Sequence, residues 1–298
     1  MKKLTWEFLH NNANRLEVIA QMMRGAAYKL ISAKKVYLAE CERQNWTNLR
    51  SCFVLSPGRS GTLLLTKVLE LSYEAYPMHV PRPELCRPSL RAYEQMKNQP
   101  EIFREVLKST REDYVLNAVR TDRVYVETNN RITFFAPIIR DVFPNSVFIH
   151  LVRHPGDFVR SGVRRGWYSG YNEADVGRIV PTTCELLEQW KDWSPIERIG
   201  WLWNETNQFI EDFKDHVSPQ HVLLVKAEDL FRDIETSRQI YRFLGIDDFQ
   251  SKRVARLLRR PVNIQKKGGF PPYKEWREND KALLKRFASL ASKYGYTL

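Results

Sequence analysis

Residues 52–71 read Cys52-Phe53-Val54-Leu55-Ser56-Pro57-Gly58-Arg59-Ser60-Gly61-Thr62-Leu63-Leu64-Leu65-Thr66-Lys67-Val68-Leu69-Glu70-Leu71, and their pattern decides the fold. Four apolar residues give a short buried strand. A turn over Ser56 to Thr62 follows, rich in Gly and Ser. Leu64, Val68 and Leu71 then recur at helical spacing. A strand, a glycine turn and a helix make an anion site, because the first N–H groups of a helix lack partners and the helix dipole adds positive potential. Glycine lets the main chain approach a phosphate closely. Ser60 and Thr62 add hydroxyls, and Arg59 adds a fixed positive fork.

The loop is not a Walker A motif, which requires G-x-x-x-x-G-K-[ST]. Ser56 takes the first glycine position, and Thr62 follows Gly61 with no lysine between them. The basic residue comes earlier, at Arg59. The pattern P-x-[KR]-[ST]-G-T resembles the 5′-phosphosulfate loop of the sulfotransferases that use 3′-phosphoadenosine 5′-phosphosulfate (PAPS). Alone, the stretch is also compatible with an ordinary strand–turn–helix.

Composition sets the outer bounds. A chain of 298 residues with 43% hydrophobic and 12% aromatic content can fill the core of one large or two small domains. The mean hydropathy of −0.47 and the lack of an 18-residue apolar run argue against a membrane span. Trp6-Glu7-Phe8-Leu9-His10-Asn11 is no secretory h-region. Cys41, Cys52, Cys86 and Cys184 show no C-x-x-C spacing, so neither zinc nor redox chemistry is indicated, and a cytoplasmic location is expected. The net charge of +12 suits an anionic ligand, nucleic acid or an acidic surface.

Along the chain, residues 1–50 read as a helical N-terminal extension, with Leu16, Ile19, Met23, Ala27 and Leu30 at spacings of three and four. That helix packs on the domain or serves as a dimer contact, a lid or a membrane-surface helix; a homodimer stays open. Three prolines in Tyr76 to Glu84 predict a loop. Residues 88–112 predict a helix, 123–127 a strand, and 131–141 a short helix. Val147 to Val152 is the clearest buried strand, a continuous apolar run suited to a parallel sheet covered on both faces. His150 within it reads as a satisfied core histidine. A basic helix through Ser161, Arg164 and Arg165 follows, then helices over 184–193 and 195–214. Val222 to Val225 predicts another buried strand, with helices over 233–244 and 250–260 and a last helix capped by Asn279 or Asp280. Strands alternating with helices predict an α/β, three-layer sandwich around a central parallel sheet with a P-loop-like phosphate site, residues 51–298 forming one domain.

The second chemical signal is Leu151-Val152-Arg153-His154-Pro155-Gly156-Asp157-Phe158-Val159-Arg160-Ser161. An arginine at a strand end and a serine eight residues later in the next helix can converge on one anion. The stretch resembles the sulfotransferase 3′-phosphate motif [LV]-x-R-[ND]-P-x-D-x-x-x-S, departing from it at His154. Gln265-Lys266-Lys267-Gly268-Gly269-Phe270 resembles a degenerate form of the family's R-K-G-x-x-G loop. Val225 to Leu230 with Phe243 to Ile246 looks like its "YEDL … FLG" segment.

The resemblance implies sulfuryl transfer from PAPS to a hydroxyl or amine. It places Gly58, Arg59, Ser60, Gly61, Thr62 and Leu63 at the 5′-phosphosulfate. It places Arg153 and Ser161 at the 3′-phosphate, with Lys266, Lys267 and Gly268 closing over the nucleotide. Arg59 would stabilise charge on the leaving phosphate. No metal is implied. The acceptor's proton needs a general base, and family members place a His or Glu soon after the loop or at a later strand end. His79 and Glu84 fill the first position and Glu127 the second. A Trp or Tyr between Trp167 and Trp203 could stack on adenine. A small-molecule acceptor is expected, with no nucleic-acid partner. The rival readings are a P-loop-type kinase, against which the missing Walker lysine stands, and a non-catalytic basic binding module, for which no RNA-binding motif is found.

Overall fold

A computed structural model describes residues 46–170, 175–259 and 269–298. The expected N-terminal helix lies outside the described residues except for its last few positions, as do Lys266, Lys267 and Gly268.

The first strand, β1 (Ser51–Leu55), is buried along its whole length. Its alternate side chains enter two separate cores: Phe53 and Leu55 join one, Cys52 and Val54 the other. Such a strand must have a layer on each face, which is why its sequence runs apolar without alternation. The sheet is parallel, in the order β2 (Ala75–Met78), β3 (Val124–Glu127), β1, β4 (Ser146–Val152), β5 (Val222–Lys226). β1 is central, flanked by β3 and β4. The chain switches direction across the sheet on either side of it, which opens a crevice at the strands' carboxyl ends.

Helix α1 (Thr62–Leu69) covers one face through Leu65, Val68 and Leu69. The other face is covered by α3 (Pro100–Arg120), α4 (Ala136–Val142), α5 (Pro155–Val163) and α7 (Pro195–Lys214). α7 starts with a reciprocal cap: Glu197 N–H reaches Ser194 Oγ, and Ser194 N–H donates to Glu197 Oε2, with Pro195 at the first helical position. Between α7 and the chain end come α8 (Ala227–Arg232), α9 (Ile234–Leu244), α10 (Ser251–Leu258) and α11 (Glu278–Phe287). The α/β layering agrees with the sequence reading.

Three expectations are corrected. Ala75–Met78 is a strand despite Pro77, because β2 is the sheet edge and pairs only with β3. A proline lacks an N–H to donate, and an edge strand tolerates that loss. The helix expected over 88–112 is two helices, α2 (Cys86–Gln95) and α3, since Pro100 opens a new helix at its first position. The last helix begins at Glu278 with Arg277 at the cap position, so neither Asn279 nor Asp280 caps it.

Candidate functional site

The phosphate loop is pinned from below. Thr133, in the 3-10 turn Asn130–Phe135, holds Ser56 twice: Ser56 N–H donates to Thr133 Oγ1 at 3.0 Å, and that hydroxyl donates to Ser56 O at 3.1 Å. Ser56 Oγ accepts from Gly58 N–H at 2.9 Å, and Ser60 Oγ donates to Gly58 O at 3.0 Å. The Ser60 hydroxyl therefore shapes the loop, and its residue is fully buried. That leaves the backbone N–H groups as the donors an anion could meet. Gly61 caps α1 at φ 95, and the first bond into the helix is Leu65 N–H to Gly61 O at 3.0 Å. The N–H groups from Ser60 to Leu64 thus have no acceptor among the described residues. A Cβ on Gly61 would sit 2.6 Å from Phe231, so glycine is required there by space as well as by φ.

Above the loop, α5 brings its side chains to the same place. Arg59 Nε lies 3.4 Å from Ser161 Oγ, and Arg165 Nη1 donates to the same oxygen at 2.8 Å. Two donors fill the lone pairs of Ser161, which leaves its own hydrogen to point at a ligand. Arg153 Nη1 donates to Arg59 O at 2.9 Å. Its Nε is buried with no partner, and the nearest carboxylate oxygen, Asp157 Oδ2, is 3.9 Å from Nη2. Burial, with the charges of Arg165 and Arg153, pushes the Arg59 guanidinium down to about 10. Arg59 stays charged at neutral pH, within a group of like charges that an anion would relieve.

Arg153 is held by its own carbonyl, which accepts from Trp203 Nε1 at 2.9 Å. His154, the departure from the family motif, caps α5: its Nδ1 accepts from Gly156 N–H at 3.1 Å. That is the task an Asn or Asp oxygen would perform there. Downstream of the undescribed 260–268 segment, the chain is anchored on this helix. Arg160 Nε donates to Phe270 O at 3.1 Å, and Tyr273 packs so closely on Gly156 that an added Cβ would lie 2.3 Å away. Trp167, Trp201 and Trp203 are buried in the core, so the aromatic residues expected near adenine are in large part structural.

The base candidates separate sharply. Glu127 is fully buried. Arg111 of α3 grips it with two bonds, Nε to Oε2 at 2.7 Å and Nη2 to Oε1 at 2.8 Å. Tyr125 OH donates to Oε2 at 2.8 Å, and Asn129 Nδ2 to Oε1 at 3.3 Å. Glu84 is exposed, its carboxylate 3.9 Å from the Cys86 thiol. His79 follows β2 at the carboxyl edge, half-buried, with Nδ1 3.0 Å from Thr128 Oγ1.

The proton inventory around His79 closes. Thr66 Oγ1 donates to Thr62 O at 2.9 Å, so its single hydrogen is used. Thr66 Oγ1 and Thr128 Oγ1 are 2.6 Å apart; with the Thr66 hydrogen on Thr62 O, the one between them comes from Thr128, for which Met78 O at 3.4 Å is the longer alternative acceptor. Thr128 Oγ1 then accepts from His79 Nδ1–H, leaving a lone pair on Nε2. Burial lowers His79 from its ordinary 6.5; the Thr128 backbone acceptor opposes this and the Arg59 charge adds to it. The ring is neutral at pH 7.

The sequence reading missed Arg165, Thr128, Thr66 and Thr133 as parts of this site. Arg165 stood in the basic helix already noted. Nothing in the sequence links Thr66 to Thr128 or Thr133 to Ser56; only the fold brings each pair together.

Among the described residues no group of His, Cys, Asp and Glu could hold a metal ion, and no helix is long and apolar enough to cross a membrane. The model of a family described as the sulfotransferase family matches residues 52–251. Among solved structures, the sulfotransferase domain from the curacin biosynthetic pathway superposes with TM-score 0.51 at 16% identity, over 84% of this chain and 99% of that one. A sulfotransferase from Alicyclobacillus acidocaldarius does so with TM-score 0.51 at 15% identity, over 84% and 97%. One from Mycobacterium avium does so with TM-score 0.51 at 13% identity, over 87% and 81%. No curated protein matches the sequence.

Proposed function

Because the chain belongs to the sulfotransferase family, we propose that it moves a sulfuryl group from PAPS to a hydroxyl or amine of a small-molecule acceptor, within the cytoplasm and without a metal. One observation carries the nucleotide assignment. Arg59, Arg153 and Arg165 converge around Ser161, above a helix start whose N–H groups have no acceptor. A ligand with charge at both ends of a ribose answers that arrangement, and Arg153, whose Nε is buried with no partner among the described residues, adds positive charge to it. PAPS, when bound, supplies the sulfuryl group and departs as the bisphosphate PAP.

The N–H groups of Gly61, Thr62 and Leu63 hold the 5′-phosphate. Arg153 and Ser161 hold the 3′-phosphate, with Lys266, Lys267 and Gly268 assigned to the same nucleotide from the sequence. Arg59 neutralises charge developing on the leaving phosphate; loss of one such donor costs on the order of 10²–10³ in turnover. His79 Nε2 takes the acceptor's proton while the Thr128–Thr66 relay fixes the opposite nitrogen as the donor. Glu127, with both carboxylate oxygens committed to Arg111, Tyr125 and Asn129, is assigned to structure.

The test is calorimetric titration with PAP and ADP in EDTA. A charge-assisted contact of about 1.5–3 kcal/mol gives roughly a ten- to hundred-fold preference for PAP. Arg153→Ala should reduce that preference, mainly through weaker PAP binding. Equal affinities for PAP and ADP in the wild type would overturn the assignment.

A further inference from the structure

A second concentration of guanidinium charge lines a small cavity against the Ser56-Pro57 turn of the phosphate loop. Arg131 and Arg178 both face it, and Phe134 and Leu202 supply an apolar wall. Its volume, about 20 Å³, is the room of one or two waters. Asn130, also in the lining, packs on the loop: a Cβ on Gly58 would come within 3.2 Å of its Cγ. The cavity therefore shares a wall with the turn that carries Arg59.

The charges here are only partly matched. Asp175 takes Nε of Arg178 at 2.9 Å, and Gly177 O takes one Nη of Arg131 at 2.9 Å. The remaining nitrogens of the two guanidinium groups have no hydrogen bond within the described residues, and the described residues of the lining include no carboxylate. Arg178 lies flat on Trp167, 3.4 Å from the ring centroid, which fixes its plane. Burial, aided by the charge of Arg131, lowers Arg178 to about 10, although Tyr168 and Asp175 oppose the shift. Among the described residues, two guanidinium cations here meet one carboxylate, that of Asp175.

We propose that this cavity binds a carboxylate borne by the acceptor. A planar carboxylate matches the guanidinium fork with two parallel hydrogen bonds and fits the space. A neutral amide of the same shape offers one acceptor oxygen instead of two and no charge to set against the guanidinium groups. The inference rests on the sulfotransferase reading, because that reading puts the reacting end of the donor beside Ser56 and Pro57. It narrows the acceptor to a hydroxy or amino acid type of molecule, the hydroxyl or amine facing His79 and the carboxylate held by Arg131 and Arg178.

The probes are propionate and its neutral counterpart propionamide. Each is titrated into the full chain, free and saturated with PAP, by calorimetry and by tryptophan fluorescence, since Trp167 lies beneath Arg178. Propionate should bind at least about tenfold more tightly than propionamide. Arg131→Gln and Arg178→Gln should each abolish the difference while leaving PAP affinity unchanged. Equal binding of the two probes to the wild type overturns the proposal without reference to any variant. A preference that survives both substitutions overturns it too. Failure of PAP to bind, with the propionate preference intact, would sink the nucleotide reading and leave the anion cavity standing.

Discussion

At the scale of single residues, the catalytic argument turns on which nitrogen of His79 is free. The Thr66 hydroxyl is tied to its own helix, and that one bond fixes the direction of the next two hydrogens. A base chosen this way has a definite pH behaviour. Only the neutral ring accepts a proton, and burial holds the ring below its ordinary 6.5. With His79 as the proposed base, activity is expected to be retained above that pH and to fall as pH drops through the lowered value, which places the acid limb of kcat/KM below pH 6.5. His79→Asn should lower kcat by about 10²–10⁴ and remove that limb, with PAP affinity retained. An acid limb unchanged in the variant would exclude His79 as the base. That the loop, Arg153 and Ser161 would come together was readable, because an anion site needs those types at those spacings. The choice of base was not, because three candidates had equal chemistry and only burial and partners distinguish them.

At the scale of elements, the nearest case is the start of α5, where a histidine stands in a cap position. An imidazole nitrogen accepting a backbone N–H does what a short carboxamide does, and Tyr273 and Tyr296 pack around its ring. His154→Asn should keep the cap and leave PAP affinity nearly unchanged. His154→Ala should lose about 1 kcal/mol of stability, read by denaturant midpoint. Equal loss in both variants would show that the ring's packing, not the cap, is the contribution. β1 and β4 were legible, since burial on two faces leaves no other pattern; β5 was legible from its apolar run alone, although it is the other sheet edge, mostly half-buried with Leu224 exposed, and not the buried strand expected. β2 was not legible. Pro77 is a breaker in every strand position except an edge, and edge status depends on the order of strands, which the local sequence does not encode.

At the scale of the whole molecule, the Arg111–Glu127 pair joins α3 to β3 in the core and also fixes the stretch after β2, through Arg111 Nη1 to Pro83 O at 3.1 Å. Glu127→Gln leaves a buried guanidinium without its counter-charge. It should lower stability by about 3–5 kcal/mol in chemical denaturation while the folded fraction still binds PAP. An undiminished denaturation midpoint with kcat abolished would instead return Glu127 to the role of base. The remaining feature is the bond from Arg153 Nη1 to the carbonyl of Arg59, whose backbone stands at φ 55 in the left-handed region. The residue assigned to one end of the nucleotide thereby braces the loop assigned to the other. The two ends are thermodynamically linked. Two half-ligands, one carrying only the 5′-phosphate and one only the 3′-phosphate, have affinities that do not add up to that of the whole, because whichever arrives first stiffens the seat of the second.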